Sequence, residues 1–135
     1  MMSYDRNEFN LWNSKKQMLN ERKYPKGLHF SETEIWWIAM GKNIGSEENG
    51  KNDDFERPVI IFRTFGLDTL WVIPLTTSLP AIDPRREYEF VQDDTLQIAD
   101  LAQLRLVSSK RLLRLKGKVK HDDFQNIRKL LRDLM

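Results

Sequence analysis

Cysteine is absent from this chain, and histidine occurs only twice, at His29 and His121. Without thiols there is neither a disulfide framework nor a thiolate metal site. Two imidazoles so far apart in sequence argue against a zinc centre, so no metal and no cofactor are expected. No apolar run approaches the length needed to span a bilayer, and no membrane role is expected. The first residues, Met-Met-Ser-Tyr-Asp-Arg-Asn-Glu, lack the charged-then-apolar order of a signal peptide; the expectation is a cytoplasmic protein. Also missing are a Walker loop, a nucleophile elbow, a His-Glu metal helix and a dinucleotide fingerprint.

What remains is an ordinary globular composition. With 135 residues, 40% hydrophobic and 31% charged, the chain is sized for one domain that buries roughly two-thirds of its unfolded surface. Four tryptophans suit either a thick core or a stacking platform. The net charge of +2 hides an uneven distribution. Arg105 to Lys120 holds seven Lys/Arg and no acid, whereas Glu47 to Glu56 holds five acids and one Lys. Taken alone, a basic block is as readily a solvated face as a footprint for a phosphate backbone.

Hydrophobic periodicity sets out the elements. Residues 5 to about 22 read as a helix with apolar points at Phe9, Trp12 and Leu19, ended by Pro25 and Gly27. Ile35 to Met40 is nearly all apolar, as expected for a strand buried on both faces. Pro58 to Phe65 and Thr69 to Leu75 are β-branched and aromatic runs separated by a turn, which predicts a hairpin. Glu87 to Val91 predicts a further short strand, and Leu96 to Leu106 one more, with Gln103 and Arg105 near its end. A serine-capped helical turn is expected at Ser108 to Leu113, then a half-exposed strand from Leu115 to Val119. His121 to Met135 places Phe124, Ile127, Leu131 and Leu134 on one helical stripe. Many short strands followed by a C-terminal helix predict a mainly-β, α+β domain, a small barrel closed by that helix.

The residues able to do chemistry are Arg, Thr, Ser and Glu near strand ends, a set suited to phosphoryl transfer. Arg57 offers a planar, permanently charged fork that matches a phosphate. Thr76, Thr77 and Ser78 form a hydroxyl cluster where the second strand of the hairpin ends. On residue types alone, Arg-Pro is equally a structural strand start, and Thr-Thr-Ser equally turn chemistry.

The order of short motifs adds to this. Glu34-Ile-Trp-Trp, Gly45-Ser46-Glu47, Arg57-Pro58-Val59, Val72-Ile-Pro-Leu-Thr76-Thr77 and Gln103-Leu-Arg105 with the following Ser-Lys-Arg-Leu together resemble the MazF/PemK toxins, from about residue 30 to 135. The resemblance implies an SH3-like/CcdB-like barrel (residues 30–135) preceded by an N-terminal helical extension (1–29). It implies a sequence-selective, metal-independent endoribonuclease that cleaves single-stranded RNA through the 2′-hydroxyl, leaves a 2′,3′-cyclic phosphate, forms a homodimer and is neutralised by a cognate antitoxin. Carried over by position, Arg57, Thr76 and Glu47 are the expected catalytic residues. Arg57 would neutralise the phosphorane and Thr76 would donate to a non-bridging oxygen. Glu47 would accept the 2′-hydroxyl proton. Ser46, Thr77, Ser78, Gln103, Arg105, Lys110 and Arg111 are the expected RNA contacts.

Three features depart from the family pattern. The segment from Gly50 to Arg57 is longer than in many members, Ala102 stands where several relatives carry an acid, and the first thirty residues lie outside the resemblance. Two other functions compete. A non-enzymatic CcdB-like inhibitor of DNA gyrase is disfavoured because such proteins act through C-terminal aromatics, whereas this chain ends Asp133-Leu134-Met135. A bare nucleic-acid-binding module would stack bases on Trp36 or Trp71, and their apolar surroundings disfavour it.

Overall fold

The computed structural model describes residues 2–24, 27–52, 54–77 and 82–135. Pro25 and Ser78, both named above, and Asp53 in the long loop lie outside them. The elements run α1 (Met2–Glu21), β1 (Glu34–Ala39), β2 (Glu56–Phe65), β3 (Thr69–Thr76), β4 (Glu87–Gln92), β5 (Thr95–Asp100), β6 (Arg105–Ser108), β7 (Leu112–Lys118) and α2 (His121–Leu134). Short 3₁₀ turns at Leu101–Gln103 and Ser109–Arg111 flank β6. Among the described residues no helix is long and apolar enough to cross a membrane.

Both faces of the central strands are buried, which is why their sequences read as unbroken apolar runs. Ile35, Ile60 and Ile73 point into one core with Leu75, Ala99 and Leu101, where α2 seats Phe124 and Ile127. Their chain neighbours Trp36, Val59, Ile61 and Val72 point into the other, with Leu70, Val107 and Leu112. The mainly-β class with N- and C-terminal helices is as the sequence predicts. The strand order is β4-β5-β3-β2-β1-β7, with β6 also paired to β3, so the seven-stranded sheet is open and α2 covers one of its faces. Strand β3 carries two partners on one edge: Thr69 to Val72 pair with β6, and Leu75 and Thr76 pair with β5. On its other edge β3 runs antiparallel to β2, Val59 pairing with Pro74, which brings the end of β3 beside the start of β2.

The predicted strand over Leu96 to Leu106 is two strands. Asp100 breaks it: its carboxylate accepts from the Ala102 amide and caps the 3₁₀ turn, while Arg86 holds it in a two-pronged pair at 2.9 and 3.0 Å. On α2 the stripe is shifted, with Leu130 and Leu131 packed on the core and Leu134 41% exposed. The serine cap is at Ser108, whose hydroxyl accepts from the Lys110 amide.

Across β1 runs a half-exposed ion pair with a pH signature. Arg114 on β7 reaches across to Glu56 on β2, Nη1 to Oε2 at 2.9 Å and Nη2 to Oε1 at 2.8 Å. The fork from Arg114 holds the Glu56 carboxyl below its ordinary value of 4.5, against the opposing effect of burial. A depressed carboxylate contributes stability that is present above its unfolded value and lost as pH falls through the folded one. Acid unfolding of Glu56→Gln, followed by circular dichroism, should therefore show a shallower loss of stability than wild type below about pH 4.5.

Candidate functional site

Arg57 enters β2 one residue after Glu56 and pairs with Ile38 across the ladder. Its side chain is 8% exposed, so each of its donors needs a partner. Nη1 donates to the Leu75 carbonyl at 3.0 Å, Nε to the Asn49 carbonyl at 2.5 Å, and Nη2 meets Glu48 Oε2 at 3.1 Å. The first contact ties the guanidinium to the end of β3, next to Thr76. The other two tie it to the loop after β1. Arg57 is thus a fixed cation joining two strands and a loop.

The loop is braced from within. The Asn43 backbone N–H donates to Asn49 Oδ1 and its Nδ2 to the Glu48 carbonyl at 2.7 Å. Glu47 turns back on the loop, its Oε1 accepting from the Ile44 amide at 3.1 Å. Gln103 clamps the same segment from the 3₁₀ turn, with Nε2 donating to the Ser46 carbonyl at 3.0 Å and Oε1 accepting from the Glu48 amide at 3.2 Å. Replacing Gln103 by Ala removes both anchors. Exchange of the Glu48 amide with deuterium should then accelerate about five- to tenfold, as expected for roughly one net hydrogen bond.

Two cavities flank this arrangement. One of about 290 Å³ is lined by Arg57, Thr76, Thr77, Leu75 and Trp37 among others. The other, about 420 Å³, is lined by Glu47, Glu48, Gln103, Arg105 and Met40 among others. The structure therefore brings Arg57, Thr76 and Thr77 together in one cavity, and Glu47, Gln103 and Arg105 together in the other. Glu48 spans them, lining the second while bonded to Arg57. Thr76 is half-buried and Thr77 exposed. Ser46 reaches the site through its carbonyl contact with Gln103.

Lys110 and Arg111 line neither cavity. Lys110 Nζ donates to the Asn20 carbonyl at 2.9 Å and lies 4.6 Å from the Tyr24 ring centroid. Arg111 Nη1 donates to the Ala39 and Met40 carbonyls and sits 5.6 Å from the Trp12 ring. Burial, with a smaller push from the Arg105 charge, lowers the Arg111 guanidinium to about 10. These two cations hold the N-terminal helix and the end of β1. Trp36 is 4% exposed and donates from Nε1 to Glu34 at 3.0 Å; Trp71 makes an edge contact with Phe65 at 5.1 Å.

Sequence reasoning missed Glu48, the acid that contacts Arg57, and the bridging role of Gln103. Adjacent glutamates in a loop carry no periodicity that tells which one faces inward. The arrangement that emerges is a buried arginine fork, a hydroxyl-bearing strand end and a carboxylate held on a braced loop. It is equipped to bind an anion and move a proton.

Residues 31–135 match the family described as the PemK-like, MazF-like toxin of type II toxin-antitoxin systems. The chain belongs to this family. A solved structure of an Mtb toxin superposes with a TM-score of 0.51 at 15% identity, covering 58% of this chain and 92% of that one. At that identity the likeness shows the fold alone. No curated protein matches the chain in sequence. The family assignment makes this a toxin of a type II system, a class defined by pairing with an antitoxin.

Proposed function

We propose that this toxin is a metal-independent endoribonuclease of the cytoplasm that cuts single-stranded RNA, acts as a homodimer and is silenced by its cognate antitoxin. Its working part is taken as residues 30–135, with 1–29 an N-terminal helical extension. The observation that carries the reading is the placement of Arg57 against the end of β3, with Thr76 and Thr77 in the same cavity and a carboxylate on the fork.

In this reading the Glu48 carboxylate occupies the edge of Arg57 that a phosphodiester takes in the complex. When RNA binds, Arg57 transfers its Nη2 contact to a non-bridging oxygen, and Thr76 donates to the same phosphate. Glu48, displaced but still tethered at its amide by Gln103, accepts the proton of the 2′-hydroxyl. This moves the base role from Glu47 to Glu48, because Glu48 touches the fork while Glu47 caps its own loop. The 2′-oxygen forms its bond to phosphorus as the bond to the 5′-oxygen breaks. That oxygen leaves beside Arg57 and takes a proton from water. The cyclic phosphate stays on the upstream fragment. One permanently charged fork, with a neutral hydroxyl donor beside it, supplies the stabilisation of the phosphorane that the reaction most needs.

Matched RNA and DNA oligonucleotide pools incubated in EDTA, with products weighed by mass spectrometry, test the reading. RNA-only cutting with 2′,3′-cyclic phosphate ends is expected. Intact RNA, or equal cutting of DNA, overturns it. Thr76→Val should lower kcat about 10²-fold, the typical effect of deleting one preorganised donor, with KM little changed. Thr76→Ser should restore most of the loss.

A further inference from the structure

Strands β7, β1 and β2 set Arg114, Trp37 and Pro58 in one row, since Trp37 pairs with Arg114 on one side and with Pro58 on the other. Trp37 and Pro58 line the cavity of Arg57 and Thr76, so Arg114 stands at its rim. The Arg114 guanidinium carbon lies over the Trp37 ring, 5.0 Å from its centroid. Glu56, also part of the cavity wall, grips the same guanidinium with both carboxylate oxygens, at 2.8 and 2.9 Å. A ring against one face and a two-pronged carboxylate at one edge fix the plane of a side chain that is ordinarily mobile. The Arg114 side chain is nevertheless 53% exposed. With Trp37 and Glu56 taking one face and one edge, the opposite face is the part left to solvent. Other cation–ring contacts join Lys42 to Phe9, Arg63 to Phe65, Lys110 to Tyr24 and Arg111 to Trp12. None of those rings lines this cavity. An ion pair this exposed adds little stability, so a stiffened guanidinium beside the site is better suited to binding than to holding the fold.

We propose that Arg114, backed by Trp37, is a stacking platform for a nucleobase of the RNA, the one flanking the phosphate held by Arg57 and Thr76. Single-stranded RNA is recognised by splaying its bases and laying them on aromatic rings or on the planes of arginine guanidiniums. The base lies on the open face of Arg114, where the cation adds to the stacking attraction. Its neighbouring phosphate reaches the cavity across Trp37 and Pro58. Every base has a π-face, so the platform tolerates any sequence and fixes where the strand lies. Glu56 is the positioning residue: it does not touch the base, and it holds the plane on which the base rests. Because the plane is set before RNA arrives, little side-chain freedom is lost on binding. The platform acts on KM and leaves kcat unchanged, since it contacts no reacting atom.

This inference rests on the ribonuclease reading, and its test reads binding so that the two can fail separately. The tightest-binding sequence is selected from random 2′-fluoro RNA, which has no 2′-hydroxyl to act as nucleophile. It is resynthesised with one abasic nucleotide stepped along it, and each oligonucleotide is titrated against wild type and Arg114→Lys. Cleavage of natural RNA is measured alongside. Lysine keeps the charge and can still meet Glu56, but it has no plane. At one position the abasic nucleotide should weaken wild-type binding about tenfold, the scale of one stacked base. In Arg114→Lys the same change should cost no more than about twofold, while losses at every other position persist. A difluorotoluene nucleotide at that position keeps an aromatic face without a hydrogen-bonding edge. It should bind wild type within about twofold of the natural base, a result that does not depend on how the variant folds. Equal abasic losses in the two proteins at every position, or a full loss with difluorotoluene, overturns the inference even where RNA is cut. The expected coupling without any cleavage supports the platform and sinks the ribonuclease reading instead. No binding of RNA at all sinks both.

Discussion

Arg57→Ala should reduce kcat/KM for RNA cleavage about 10³-fold, within the range seen when an arginine that stabilises a phosphoryl transition state is removed. The size follows from the geometry. The fork is pinned by the Leu75 and Asn49 carbonyls, so its charge sits at a fixed point without reorganising when the phosphorane forms. Arg57→Lys should recover little, because one ammonium cannot reach Leu75, Asn49 and a phosphate together. Arg57 is also structural. Its loss leaves two carbonyls and the Glu48 carboxylate without their donor, a destabilisation of about 3 kcal/mol. Steady-state kinetics should therefore be measured well below the melting transition of each variant, where the folded fraction is complete. Activity within tenfold of wild type would remove Arg57 from the chemistry.

Trp12→Ala should lower stability by about 3–5 kcal/mol, as large-to-small changes of buried aromatics do. For a chain of this length the melting temperature should fall by about 10–15 °C. Trp12 is 6% exposed although it lies on the N-terminal helix, outside the family match. It packs on Phe55 at a centroid distance of 5.6 Å and beneath the Arg111 guanidinium. Its ring also lies directly on the backbone of Gly41, where an added Cβ would come within 2.3 Å of two ring carbons. Gly41 has a φ of +91°, so both its conformation and its lack of a side chain are required there. Further ties are Lys42 to Glu8 at 2.9 Å and Arg22 to the Lys110 carbonyl at 2.6 Å. Helix α1 is in this way built into the end of β1, beside Met40 of the larger cavity. Differential scanning calorimetry of Trp12→Ala checks the magnitude; a fall of under 3 °C would show α1 to be an appendage.

Strands β1 to β3 were legible in sequence because burial on both faces writes an apolar run that needs no distant information. The helical turn at Ser108 was legible for a local reason too, since serine caps the residues just after it. Asp100 carried a similar local signal, and it explains the break between β5 and β6 that hydrophobicity alone did not reveal. Other features depend on contacts distant in sequence. Lys110 and Arg111 look like a basic RNA footprint until α1, some ninety residues earlier, takes up Lys110 and Trp12 covers Arg111. Gln103 looks like a polar strand residue until the Ser46–Glu48 segment folds against it.

The most direct test of the central claim is a single 2′-deoxy substitution. An RNA that the protein cuts at one mapped position is resynthesised with 2′-deoxyribose in the nucleotide bearing the attacking hydroxyl, and cleavage is followed in EDTA. Complete loss of cutting at that position, with unmodified RNA still cut to a 2′,3′-cyclic phosphate, is the result the Arg57–Thr76–Glu48 site predicts. Cutting of the substituted RNA at an unchanged rate would mean that the nucleophile is water or a protein group, and the account of the site would be wrong.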